Sequence, residues 1–152
     1  MSTQLLDSLM REHACIEAFV GALNQEAKAM IDGDFQKLPE LAEQKSVLAD
    51  QVKLAGQERE QLQLALGYAG GRTGGDAASA AGGKALQQAW HNLLEAAAHA
   101  QDRNHRNGVM VHTHLDFTRH TIGFLRSSGQ VLYGPDGIHK ASHGDKHSLA
   151  VG

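Results

Sequence analysis

The chain has 152 residues, of which 41% are hydrophobic but only 5% aromatic, with 17 glycines, two prolines and a formal net charge of −3. This is one domain's length and a folded rather than disordered or fibrous composition; the scarcity of aromatic and β-branched residues argues against a β-sandwich or barrel. No apolar run approaches the ~20 residues that span a bilayer, the opening segment lacks a signal-peptide core, and the single Cys15 excludes an intrachain disulfide and a Cys-rich zinc site. A reducing, cytoplasmic setting is expected. Residues 1–66 carry eleven acids against six Lys and Arg, and the balance turns slightly basic after residue 100. That tilt is too weak to imply nucleic acid as a partner.

Residues 4–31 are predicted to form the first helix. Stepping alternately by four and three from Leu5 meets Leu9, Glu12, Ile16, Phe19, Leu23, Glu26 and Met30, a mostly apolar heptad seam. Asp32-Gly33-Asp34 ends it, with Gly33 suited to a left-handed stop. A second helix is expected from Pro39, a favoured first-turn residue, to Leu66. Its seam runs Leu38, Ala42 or Leu41, Lys45, Leu48, Val52, Ala55, Arg59, Leu62 and Leu66. The short connection makes the two helices an antiparallel hairpin.

Each of the two seams carries two charges. In an antiparallel pair, facing residues have a nearly constant sum of residue numbers; Glu26 with Lys45 and Glu12 with Arg59 both give 71, centred inside the 32–38 connection. Two cross-helix ion pairs are therefore expected, with register rather than net stability as their role, because burying ions costs nearly what pairing returns. The alternative is four ordinary surface residues beside the seam.

Residues 67–84 hold seven glycines and read as a flexible linker. A third helix is expected over 85–126. Its seam passes Leu86, Trp90, Leu93, Ala97, Ala100, Asn104 and Asn107, then slips by one residue at Gly108 and continues through Val111, Leu115, Thr118, Ile122 and Leu125. Unbroken, this helix would be roughly 60 Å long; it either overshoots the hairpin or breaks at Gly108. Gly134-Pro135-Asp136-Gly137 marks a turn, and residues 138–152 read as a mobile polar tail. The fold class is thus all-α: an elongated helical hairpin plus a long third helix, with an irregular C-terminus. The domain is taken as 1–137, with the hairpin over 4–66.

Catalysis is poorly supported. The glycines of 67–83 lack the Gly-Lys-Ser/Thr ending and preceding strand of a phosphate loop, and Cys15 has no activating partner in view. His139, His143 and His147 are spaced by four, but they follow a turn and include Gly144, so a metal-binding helix is doubtful there. No histidine has the Lys-Gly that phosphotransfer domains carry. No metal, cofactor or catalytic residue is assigned. What remains is surface: Val111, Leu115, Ile122, Phe124 and Leu125 exceed what the hairpin needs covered. Such a surplus marks a partner site, a fold-back or a dimer contact. A coiled-coil adaptor of another secretion or signalling system and a His-rich metal-binding bundle stand as competing readings.

Several passages occur together in order. They are Leu5-Leu6, Leu9 and Glu12 with Glu26; Gly33-Asp34 followed by Leu38-Pro39-Glu40-Leu41, Lys45 and Leu48; Glu58-Arg59; Asn104-His105-Arg106-Asn107-Gly108; and Leu132-Tyr133-Gly134-Pro135-Asp136-Gly137. In this order, over about residues 5–137, the chain resembles the FlgN family of flagellar export chaperones. The resemblance implies a cytoplasmic, non-enzymatic helical protein. It would hold the C-terminal region of hook-associated (hook–filament junction) proteins, prevent their premature assembly and aid delivery to the export apparatus, with the export ATPase or export gate as a further partner. Nucleic acid and membrane insertion are not implied. The family binds clients through its C-terminal part, which selects Val111, Leu115, Thr118, Ile122, Leu125 and Tyr133 as candidate client contacts. Glu12, Glu26, Lys45, Arg59, Asn104, Asn107 and Gly108 are then structural, the amides setting register and the glycine permitting close approach or a bend. The glycine-rich insert and the histidine tail match none of the family's motifs.

Overall fold

The computed structural model describes residues 2–127. In chain order these form α1 (Ser2–Ile31), a 3-10 turn (Phe35–Lys37), α2 (Leu38–Ala65), α3 (Gly71–Ala81) and α4 (Lys84–Ser127). No strand occurs among the described residues. The chain divides into two compact units, Met1–Gly108 and Val109–Gly152.

In the first unit, α1 and α2 make the hairpin, and each ends on a glycine stop. Gly33 has φ 74°; its N–H donates to the Met30 carbonyl at 3.2 Å, and the Asp34 N–H donates to the Ala29 carbonyl at 2.8 Å. This is the paired-bond stop that satisfies the last carbonyls of a helix. The end of α2 repeats it. Gly67 has φ 88° and donates to the Leu64 carbonyl at 3.0 Å, while Tyr68 donates to Gln63 at 2.9 Å. Pro39 lies in the first turn of α2, where its missing N–H costs nothing. Lys28, in the last turn of α1, complements the negative end of the helix dipole. A hydrogen bond to Asp32, and then the charge of that carboxylate, raise the Lys28 ammonium above its ordinary pKa.

The stepping pattern on α1 describes its buried face well. Leu5, Leu9, Ile16 and Leu23 are buried, and Glu12 and Glu26 are buried with them. On α2 the seam takes Leu41 rather than Ala42, then Ala55. The part of α4 within the first unit contributes Leu86, Trp90, Leu93, Ala96 and Ala100 to one core with Leu5, Leu9, Ile16 and Val20. Ala96 is buried where the stepping had pointed to Ala97, which stays exposed. Each large aliphatic chain so buried is worth about 1.5–3 kcal/mol. Here α4 runs parallel to α1: residues 85–92 lie beside residues 6–13, and Asn107 reaches Leu23.

Two expectations are corrected. The described residues form four α-helices rather than three, because the glycine-rich stretch over 67–84 is not a linker: most of it is α3. The glycines serve proximity rather than flexibility. A Cβ at Gly74 would overlap the Ala69 carbonyl, one at Gly75 the Trp90 ring, and one at Gly82 the Leu86 side chain. Helix α3 therefore lies closer to its neighbours than any larger residue permits. Gly108 shows the opposite. A Cβ there meets nothing within 4 Å and α4 continues through it, so neither close approach nor a helix break explains it.

Candidate functional site

Two polar layers cross the first unit, each built around an α1 carboxylate. In the first, Arg59 Nε donates to Glu12 Oε2 at 2.6 Å and Nη2 to Oε1 at 3.4 Å, a side-on pair with both residues largely buried. Gly56, three residues before Arg59 on α2, leaves room for that carboxylate: a Cβ there would stand 3.2 Å from Glu12 Oε1. Arg59 also donates through Nη1 to Gln63 Oε1 at 2.6 Å, and its guanidinium lies 5.3 Å from the centroid of the Trp90 ring, a cation–π distance. Gln63 is 0% exposed. Its Nε2 donates to the carbonyls of Ala69 and Gly71, both at 3.0 Å, and so fixes the chain leading into α3. Trp90 Nε1 donates to Asp76 Oδ1 at 2.7 Å. One arginine thus links α1, α2 and α4, and Gln63 and Trp90 extend the connection to α3.

The second layer surrounds Glu26. Lys45 Nζ approaches Glu26 Oε1 at 3.2 Å and donates to Asn104 Oδ1 at 3.4 Å. Asn107, 2% exposed, donates through Nδ2 to the Leu23 carbonyl at 2.7 Å and to Glu26 Oε1 at 3.0 Å. Both expected ion pairs therefore form, Glu12 with Arg59 and Glu26 with Lys45. Of the two amides, Asn107 is buried in the seam and Asn104 lies at its exposed edge. Sequence reasoning missed Gln63 and Asp76. The available signals were the four-residue spacing from Arg59 to Gln63 and the need of a buried indole N–H for an acceptor.

The described part of the second unit is the end of α4. Leu115 and Ile122 are exposed, at 48% and 39%, and Val111 and Leu125 are half-buried. Thr118 is exposed and donates its hydroxyl to the His114 carbonyl at 3.0 Å. Tyr133 lies outside the described residues, as do the turn at 134–137 and the histidines at 139, 143 and 147. Phe124, part of the expected apolar surplus though not of the candidate contacts, is 69% exposed, and Phe117, which the sequence reading did not name, is 68% exposed. They are seven residues apart, on a stripe on nearly the opposite side of the helix from the Leu115–Ile122 face. The four-three stepping passed over Phe117 because it follows one face only.

Among the described residues no group of three His, Cys, Asp or Glu side chains could hold a metal ion. The His13–Glu17, His91–Glu95 and His112–Asp116 contacts are single helical turns on the surface, charged only when the histidine is protonated. No helix is long and apolar enough to cross a membrane, among the described residues. What the geometry offers is a pinned bundle and, in the second unit, a helical stretch rich in exposed large apolar side chains.

No curated protein matches the chain. No solved structure matches it either. The sequence model of the FlgN protein family matches residues 1–141, nearly the whole chain. The chain belongs to the FlgN family, a family of flagellar export chaperones.

Proposed function

We propose that this chaperone works in the cytoplasm on hook-associated proteins of the hook–filament junction. It holds their C-terminal region, prevents premature assembly, and passes them to the export ATPase or export gate. The observation that carries this reading is the exposed Leu115–Ile122 face of α4 after Gly108, with Phe117 and Phe124 exposed on the nearly opposite face. Exposed apolar stretches of this kind are characteristic of partner surfaces, and an amphipathic client helix laid against the Leu115–Ile122 face is the natural mode. Val111, Thr118, Leu125 and Tyr133 complete the proposed contact set. A client segment that is disordered when free and orders on docking binds with moderate affinity, which suits later release. The reading needs no catalytic group and no cofactor. Glu12, Glu26, Lys45, Arg59, Asn104 and Asn107 take a structural part, holding the bundle in register.

Calorimetry with the purified C-terminal segment of a junction protein tests this. The full chain binds it. Removing residues 110–152 abolishes binding while the hairpin stays helical, and the double variant Leu115→Asp/Ile122→Asp weakens it by more than about tenfold. A truncated chain that binds the segment as tightly as the full one refutes the site.

A further inference from the structure

We propose that α3 is a lid that opens as a unit, uncovering the Trp90 ring and Leu86, while α1, α2 and residues 84–107 of α4 stay folded. The inference is independent of how a client docks on the second unit.

Three features of α3 point the same way. Its eleven residues include Gly71, Gly74 and Gly75, and a helix this short and glycine-rich does not persist without its neighbours. Its buried positions are Gly74, Gly75, Ala78 and Ser79, so detaching it removes almost no large apolar side chain from the core. Beyond Ala78, which joins the core, and the close contact of Gly75 with Trp90, its attachments are polar. Gln63 Nε2 donates to the Ala69 and Gly71 carbonyls, and Trp90 Nε1 donates to Asp76 Oδ1; water can replace each of these partners.

The ends of the segment carry glycines in left-handed backbone. Gly67, Gly71 and Gly83 all have positive φ, between 74° and 89°, and a Cβ at any of them meets nothing within 4 Å. These three glycines are present for backbone conformation, whereas Gly74, Gly75 and Gly82 are present for contact. The division places the joints outside the packed face and the close approach inside it. Beneath the lid Ala78 is the one core side chain that α3 supplies; Leu9, Ile16, Val20, Leu93 and Ala100 pack together from α1 and α4, and the Glu12–Arg59 pair joins α1 to α2. Local opening with free energy below that of global unfolding is the expected behaviour of such a segment. What opens is an apolar face of the first unit, the Trp90 ring and Leu86, that is hidden in the closed state.

Native-state hydrogen exchange and the fluorescence of the single tryptophan test the lid on the full chain. In the unmodified protein, amides of 72–81 exchange at least about 100-fold faster than those of 9–27. Asp76→Ala removes an anchor without adding bulk: it speeds exchange in 72–81 further, leaves 9–27 unchanged, and raises acrylamide quenching of Trp90 about threefold. Gly75→Ala places a Cβ against the Trp90 ring and gives the same rise in quenching with little loss of helical circular dichroism. Equal protection of 72–81 and 9–27 in the unmodified chain overturns the proposal, because α3 then opens only with the whole bundle. So does an Asp76→Ala variant that accelerates both segments by the same factor.

Discussion

Asn107→Ala tests whether the polar layer around Glu26 holds α4 to the hairpin. Asn107 Nδ2 donates at 2.7 Å to a backbone carbonyl of α1 and at 3.0 Å to the Glu26 carboxylate, and the residue is 2% exposed. A neutral hydrogen bond contributes about 0.5–1.5 kcal/mol net, and one to a charged group about 1.5–3. Truncation therefore removes about 2–4 kcal/mol and strands part of a buried carboxylate. For a chain of this length that lowers Tm by about 5–15 °C. Urea unfolding followed by far-UV circular dichroism gives the free energy directly. Because Lys45 shares the Glu26 Oε1 acceptor, a double-mutant cycle of Asn107→Ala with Lys45→Ala reads the coupling, expected at about 0.5–3 kcal/mol. A loss under about 1 kcal/mol for Asn107→Ala, with no coupling to Lys45, refutes the argument.

Gly33→Ala forces a Cβ into the left-handed backbone at φ 74° and costs about 1–2 kcal/mol, seen as a lower urea midpoint at unchanged slope. Gly108→Ala has the opposite sign: the position is helical and open, so alanine adds about 0.5–1 kcal/mol, measured as a rise in Tm. Arg59→Ala leaves Glu12 buried without its partner and costs about 3–5 kcal/mol, whereas replacing both members by apolar residues of similar volume is close to neutral. Paired denaturation curves distinguish a strong penalty for breaking the ion pair from a small net value of keeping it.

The hairpin was legible in the sequence because its rules are local or nearly so. Heptad spacing placed Leu5, Leu9, Ile16 and Leu23 inward, and the constant sum across an antiparallel pair located Glu12 against Arg59 and Glu26 against Lys45. Helix α3 was not legible. Glycine in a row signals a loop when only propensity is weighed, and the opposing influence is tertiary: Gln63, Trp90 and Leu86 come from elements on either side in sequence and favour the residue with no side chain. The apolar stretch beyond Gly108 was visible as a surplus, but a single stepping rule followed one stripe and left Phe117 aside.

The spacing of the two ion pairs has a consequence for how the hairpin tolerates change. Their members lie fourteen residues apart on each helix, two heptads. A slip of the helices by one heptad breaks both pairs and sets the two acids against apolar seam positions, and only a slip of two heptads matches even one pair. The alignment is thus written into the arms of the hairpin and not into the bend that joins them. Residues added at Gly33-Asp34, or a new pair of chain ends opened there, would leave the pairing of α1 with α2 where it is, at the modest entropic cost of a longer loop. The bend is the natural place to attach a reporter to this chaperone without disturbing its bundle.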